Sequence, residues 1–290
     1  MDGRQYLIDC GIGTMRRMVD AGIQSETIGT IFITHHHPDH DLGLAELMAN
    51  DFFQLSGAGA TRTISIYGPP QTREFVAAAF RYISIPFSIF AAETPSVYTL
   101  KSPFAVHDIQ HDGLVYQDDK VRVIAAENSH YALMPAKFSA RMKSYSYRFE
   151  TRHGVVVFTG DTGPSDAVTR LAKGADVLVA EVLDLKAMAK IQHIAAEKNR
   201  WPPRRLDSMM AHFKFEILDR EEVGRLGSKA QVKSVVLYHL GPEGVEPAVF
   251  VSGVKKYYSG PVFASADLDR YCLNRPAGKG ANTRILIPCR

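Results

Sequence analysis

The stretch Thr34-His35-His36-His37-Pro38-Asp39-His40-Asp41-Leu42-Gly43 constrains this chain more than any other. Four of its ten residues are histidines, two are acids and none is cysteine. It follows an apolar, β-branched run, Ile28 to Ile33, that reads as a buried strand. The strand therefore ends by delivering His-x-His-x-Asp-His at its carboxyl end. His35 and His37 flank one spacer, so both imidazoles can approach a single ion. Pro38 fixes its own φ and stiffens the bend that carries Asp39 and His40, which can serve a second ion. Imidazole plus carboxylate, without cysteine, is the ligand set of hydrolytic Zn²⁺ sites that keep a position open for water. A solvated histidine-rich loop is the alternative, and the full spacing ending in Gly43 argues against it. Such a site needs further ligands, which the rest of the chain has to supply.

This His-x-His-x-Asp-His with a glycine three residues on resembles the signature of the metallo-β-lactamase superfamily. Four more motifs stand in the order that the resemblance implies. Tyr6 to Arg17, YLIDCGIGTMRR, resembles an early motif of the branch containing tRNA 3′-processing endonucleases and arylsulfatase-like hydrolases. Asp9, at a strand end beside glycines, is a candidate acceptor orienting a ligand histidine, or else a turn residue. His130 follows the strand 121–125, Asp161 sits on the glycine-flanked turn Thr159-Gly160-Asp161-Thr162-Gly163, and His239 closes the strand 232–238. The resemblance assigns His35, His37 and His130 to one ion, Asp39, His40 and His239 to the other, and Asp161 between them. It also implies the fold: an α/β chain forming one αββα sandwich domain over residues 1–290, two mixed sheets face to face with helices outside. A glycine-rich strand pair normally precedes the early motif in that branch, so the N-terminal strands are expected to be truncated.

Composition narrows the partners. Hydrophobic residues make up 46% and charged residues 22%, and 34 basic against 31 acidic side chains leave a net charge of +3. That balance argues against nucleic acid and anionic membranes as partners, and no apolar stretch approaches the ~20 residues of a membrane span. Three cysteines, Cys10, Cys272 and Cys289, form no metal-binding spacing and suggest no disulfide framework, which favours a reducing, cytoplasmic compartment.

Between the motifs, the pattern predicts helices over 42–55, 71–82, 165–173, 220–229 and 246–258, with Ser165 as a cap. It predicts a hairpin over 144–158, a buried strand over 175–182 and a last strand at 262–264. Ser56 to Ala60 reads as a flexible connection, with a strand over 61–67. Residues 83–110, with Pro86, Pro95 and Pro103, read as irregular, forming a lid or a dimer contact. Phe52 and Phe53 are candidates for a pocket wall or for core. Trp201-Pro202-Pro203-Arg204-Arg205 breaks a long helical segment, either as an anion-gripping loop or as a solvated turn. His36, His107, His111, His153 and His193 are read as spacer or surface.

The resemblance implies two divalent cations ~3.5–4 Å apart, zinc first with manganese or iron also fitting, that lower the pKa of water from ~15.7 toward neutrality. Asp39 is the candidate proton acceptor, and Asp161 orients the attacking hydroxide. In the tRNA-processing branch, an acid after the next strand pairs with a histidine of a His-x-x-x-Glu-Glu helix start at the scissile phosphate. Glu181 matches the acid and is a candidate catalytic residue, but alignment on Glu221-Glu222 puts Ile217 at the histidine, with His212, five residues early, as the candidate that substitutes for it if the helix starts differently. Nuclease members also carry a long basic arm between the third-ligand motif and the bridging acid, where this chain has 30 residues and a hairpin. The expectation is therefore a hydrolase of a small-molecule ester, lactone, sulfate ester or phosphodiester, with the homodimer common in the superfamily it resembles as the candidate assembly. A tRNA 3′-processing endoribonuclease, a β-lactamase and a non-catalytic metal-binding scaffold are the alternatives.

Overall fold

The structure, a computed structural model, describes residues 3–57, 63–94, 102–139, 141–274 and 285–289. The chain divides into two compact units, Met1–Gln110 and His111–Arg290.

The N-terminal unit runs β1 (Gln5–Ile8), α1 (Thr14–Asp20), β2 (Ile28–Phe32), α2 (Pro38–Asp41), α3 (Leu44–Gly57), β3 (Ile64–Gly68), α4 (Thr72–Glu93) and β4 (Phe104–Asp108). Its strands form a sheet in the order β1-β2-β3-β4, and every pair in it is parallel. The expectation of two mixed sheets is corrected here. Each of these strands returns through a helix rather than a hairpin, and that connection makes neighbours parallel. Ile31, Ile33, Ile64 and Ile66 of the sheet meet Leu44, Leu47, Met48 and Phe52 of α3 in one core. Phe52 is therefore a core residue, ring to ring with Phe80 and Phe87, whereas Phe53 is 40% exposed.

Helix α4 corrects the irregular reading of 83–110. It continues through Pro86 to Glu93, because Ile83 and Phe87 on either side of the proline are buried against the core. That packing offsets the ~3 kcal/mol an interior proline costs. By length and composition α4 is also apolar enough to cross a membrane, contrary to the reading that no stretch qualifies. Its Val76, Ala79, Ile83 and Phe87 lie in the core of this unit. Pro95 and the connection 58–60 lie outside the described residues.

The C-terminal unit runs β5 (Gly113–Gln117), β6 (Val121–Glu127), α5 (Ala136–Ser139), β7 (Tyr145–Thr151), β8 (Gly154–Phe158), α6 (Asp166–Leu171) and β9 (Val177–Leu183). It continues through α7 (Leu185–Lys198), α8 (Pro203–Phe215), α9 (Arg220–Lys229), β10 (Val235–Gly241), α10 (Pro247–Lys255), β11 (Val262–Ala264), β12 (Tyr271–Asn274) and β13 (Ile285–Pro288). Seven strands form a mixed sheet in the order β11-β10-β9-β8-β7-β6-β5, parallel from β11 to β8 and antiparallel from β8 to β5. Alternation sorts its faces: Val157, Leu178, Ala180, Val235 and Leu237 meet α6, α9 and α10, while Val156, Val177, Val179 and Val236 face the opposite way.

The second face explains two features that the sequence reading missed. Tyr271 and Leu273 of β12, with Leu286 of β13, pack against it, so Val262–Ala264 is not the last strand. Cys272 and Cys289 are disulfide-bonded across this pair, which corrects the reading that the cysteines suggest no disulfide; Cys10 is free and buried. Seventeen residues separate the two partners, so only the folded hairpin shows that they meet.

Candidate functional site

In the N-terminal unit the ligand stretch leaves β2, turns at Thr34 and enters α2 with Pro38 at its first position. Asp9 anchors the turn from the end of β1. Its carboxylate accepts the Thr34 backbone N–H at 2.7 Å, the Thr34 hydroxyl at 2.8 Å and His40 Nδ1 at 2.8 Å. The Asp9 reading from sequence is met. These bonds also decide the tautomers. His40 must carry its proton on Nδ1 to donate to a carboxylate, which turns the lone pair of Nε2 outward. The Thr34 hydroxyl spends its proton on Asp9, so at 2.9 Å it accepts from His35 Nδ1, and His35 presents Nε2 in the same way. His35 Nε2 lies 3.1 Å from His37 Nδ1, and His40 Nε2 lies 3.7 Å from an Asp39 oxygen. Four predicted ligands are thus brought together as two pairs of possible donor atoms, with the His35 and His40 rings 4.1 Å apart. Imidazole nitrogens and a carboxylate at these spacings fit divalent metal.

Two glycines let this loop close. A Cβ on Gly11 would lie 1.9 Å from the Asp39 carbonyl oxygen, and one on Gly43 would lie 2.0 Å from that of Gly11. His36 is not the spacer expected: it bonds Asp41 at 2.8 Å and the Thr72 hydroxyl at 3.1 Å, tying the loop to α4.

In the C-terminal unit the predicted residues come from separate loops that brace one another. His130 is fully buried, and its Nδ1 donates to the Glu216 carbonyl at 2.8 Å, again leaving Nε2 as the lone-pair nitrogen. Asn128 accepts from the His130 backbone N–H at 3.0 Å and donates to the Thr159 carbonyl at 3.2 Å, tying this loop to the turn that carries Asp161. Asp161 is 4% exposed. Glu181 lies beneath the turn, where its carboxylate accepts the Thr162 N–H and its own N–H donates to the Thr159 hydroxyl. Burial, and then the charge of Asp161 beside it, push the Glu181 carboxyl well above the usual carboxylate range. Glu181 is 1% exposed, which places it under Asp161 rather than on an open surface.

His212 lies in the last turn of α8 with its ring 5.6 Å from that of His130, and its Nδ1 bonds Glu216 at 2.7 Å. Ile217, at the position where the branch carries its histidine, is half-buried. Glu216 is the residue that sequence reasoning missed. It holds His130 through its carbonyl, the Leu133 N–H through one carboxylate oxygen at 2.7 Å, and His212 through the other. The four-residue spacing from His212 along a helix was the available signal. The Asp161 turn also rests on this segment, since a Cβ on Gly163 would lie 1.9 Å from the Phe215 carbonyl oxygen.

His239 owes its position to a break in the ladder. Tyr238 pairs Glu181 and Leu240 pairs Val182, so His239 is an extra residue between them. Its φ of 51 is left-handed. A bulge of this kind re-aims one side chain at the end of a strand. His239 is exposed.

Comparison with known proteins follows this geometry. Residues 4–240 match the beta-lactamase superfamily domain. The chain is 29% identical over 194 residues to ribonuclease Z of Mycobacterium sp. (strain KMS), covering 66% of this chain and 64% of that protein. It is 26% identical over 278 residues to ribonuclease Z of Mycolicibacterium paratuberculosis, covering 95% and 90%. Among solved structures, the metallo-beta-lactamase fold protein YhfI from Bacillus subtilis aligns with a TM-score of 0.63 at 17% identity, over 91% of this chain and 86% of that one. Human tRNase Z, short form, aligns with a TM-score of 0.61 at 19% identity, over 92% and 88%. These likenesses show the fold that the histidine motif implied.

Proposed function

The chain belongs to the beta-lactamase superfamily, and from that premise we propose that it is a metal-dependent hydrolase that cleaves an RNA phosphodiester, as an endoribonuclease of the tRNA 3′-processing type. One observation carries the choice of substrate: likeness to a ribonuclease Z extends over 95% of this chain and 90% of that relative. This reading takes precedence over the small-molecule substrate expected from composition.

In this reading residues 1–290 act as one catalytic domain. The proposed ligands are His35, His37 and His130 for one ion and Asp39, His40 and His239 for the other, with Asp161 shared. Two divalent cations, zinc first, would supply Lewis acidity to the phosphoryl oxygens and acidify water. The chain's own groups do the rest. Asp39 is the proton acceptor, with Asp161 orienting the nucleophile and Glu181 fixing the turn that carries it. His212, held by Glu216, contacts the scissile phosphate in place of the histidine that Ile217 replaces. Hydrogen bonds donated by Nδ1 of His40, His35 and His130 to Asp9, Thr34 and the Glu216 carbonyl hold three imidazoles with Nε2 available, which raises their basicity and spares reorganisation on binding.

A specific observation favours a second reading, a small ester, lactone, sulfate ester or phosphodiester. The segment between His130 and Asp161 is taken up by α5 and the β7–β8 hairpin, both ordinary parts of this unit, and not by a long arm. A substrate panel separates the two. Zn²⁺- or Mn²⁺-loaded protein is given a precursor tRNA with a 3′ trailer beside chromogenic phosphodiester, aryl sulfate, carboxyl ester, lactone and β-lactam substrates, each with and without chelator. Chelator-sensitive cleavage of the RNA, faster than any small substrate, is expected. Turnover of one small substrate with the RNA left intact would overturn the ribonuclease reading.

A further inference from the structure

We propose that the helical hairpin α7–α8 is a docking arm for the phosphate backbone of RNA, a proposal that rests on the ribonuclease reading. Residues 185–215 carry seven basic side chains and two acidic ones, a net +5. The other 259 residues carry 27 basic and 29 acidic side chains, a net −2, so the chain's +3 comes entirely from this hairpin. The near-neutral total hides a strongly polarised molecule.

Three structural facts turn that charge into a surface. All seven basic residues are exposed, and among the described residues none is held in an ion pair. Four arginines elsewhere in the unit are ion-paired: Arg122 and Arg148 with Glu150, at 2.8 and 2.9 Å, Arg220 with Asp184, and Arg225 with Glu221 and Glu222. The hairpin also has little core of its own to serve, since Ala196 is the one buried residue described in α7 and α8 has none. Finally, it offers flat apolar surface beside the charge. The Arg205 guanidinium lies 4.0 Å over the Trp201 ring, and Ile194 and Phe215 are 55% and 49% exposed. Unpaired cations beside an aromatic–arginine stack form a sequence-tolerant surface for nucleic acid, phosphates meeting the charges and bases the planes.

Position completes the case. Arg204 and Arg205 open α8, and the same helix ends at His212, whose ring is 5.6 Å from His130. A strand lying along α8 is therefore led to the His130 loop. The basic arm that this chain lacks before Asp161 is rebuilt after β9. An anionic membrane would share the charge attraction, and binding to anionic vesicles tests it.

The test is fluorescence anisotropy of a labelled precursor tRNA at several salt concentrations, with the metal-loaded full chain and the variant Lys190→Gln/Arg204→Gln/Arg205→Gln. These residues are exposed and unpaired, so the variant should fold; hydrolysis of bis(4-nitrophenyl) phosphate within about twofold of wild type checks this. The expected result is RNA affinity weaker by about tenfold or more, with the log–log salt slope shallower by about 2, since each neutralised contact removes ~0.7–0.9. A control, Arg170→Gln/Lys173→Gln/Lys229→Gln, removes the same charge elsewhere in the unit and should bind like wild type. No RNA binding by wild type, an unchanged slope in the hairpin variant, or an equal loss in the control would each overturn the proposal. So would binding to phosphatidylglycerol vesicles that depends on these three residues while RNA binding does not. If wild-type protein binds RNA through the hairpin but never cleaves it, the arm stands and the ribonuclease reading falls.

Discussion

The two units supply the proposed metal ligands in opposite ways. The N-terminal unit offers four from six consecutive residues, 35 to 40, and one carboxylate, Asp9, braces the loop from a neighbouring strand. The C-terminal unit offers three from positions 130, 161 and 239, and each needs its own brace: Glu216 for His130, Glu181 for the turn of Asp161, and a bulge in β10 for His239. The same chemical end is met by local spacing in one unit and by long-range hydrogen bonding in the other. A ligand set built from spacing survives as long as its loop does. One built from braces is exposed to changes at residues that touch no ligand atom.

The strongest challenge to this contrast is removal of ligands from the dispersed set. His130→Ala and Asp161→Ala should each lower bound metal below two per chain, measured by elemental analysis, and cut chelator-sensitive turnover on the order of a hundredfold or more. Full metal retention in both variants would break the two-ion assignment. Asp9→Asn probes the single brace of the compact set. Its amide would set N–H donors against the Nδ1–H of His40 or the Thr34 hydroxyl, and the lost orientation should weaken metal binding by about 10–100-fold in a dye-competition titration. Unchanged affinity would show that spacing alone suffices there. The smallest effect is expected from one added methyl in each unit. Gly11→Ala and Gly163→Ala both set a Cβ 1.9 Å from a backbone carbonyl oxygen, and each should lower urea-unfolding stability by about 1–3 kcal/mol. Only Gly163→Ala should also disturb the His130 imino proton in NMR, because it displaces the segment that ends at Glu216.

The branch pattern names Glu181 as the acid and leaves His212 as the substitute for the histidine missing at Ile217. In the fold Glu181 is spent on the Asp161 turn, and His212 takes Glu216, four residues on along its own helix. The net charge hides an uneven distribution: residues 185–215 carry +5 and the other residues −2.

What the sequence determined by itself was whatever depends on near neighbours. His-x-His-x-Asp-His after a β-branched strand brought four candidate ligands together within one loop. Ser165 capped α6 by accepting the Val168 N–H, and alternation sorted the faces of the C-terminal sheet. Tertiary structure alone decided what depends on groups far apart along the chain. The Glu216 carbonyl reaches His130 across 86 residues. Cys272 meets Cys289 because β12 and β13 pair with each other and pack on Val177 and Val236 of the sheet. Pro86 stays inside α4 because buried side chains on either side hold the helix together. Local rules describe the cost of each choice at its own residue; the compensating packing or hydrogen bond lies elsewhere, and only the folded chain brings it into contact.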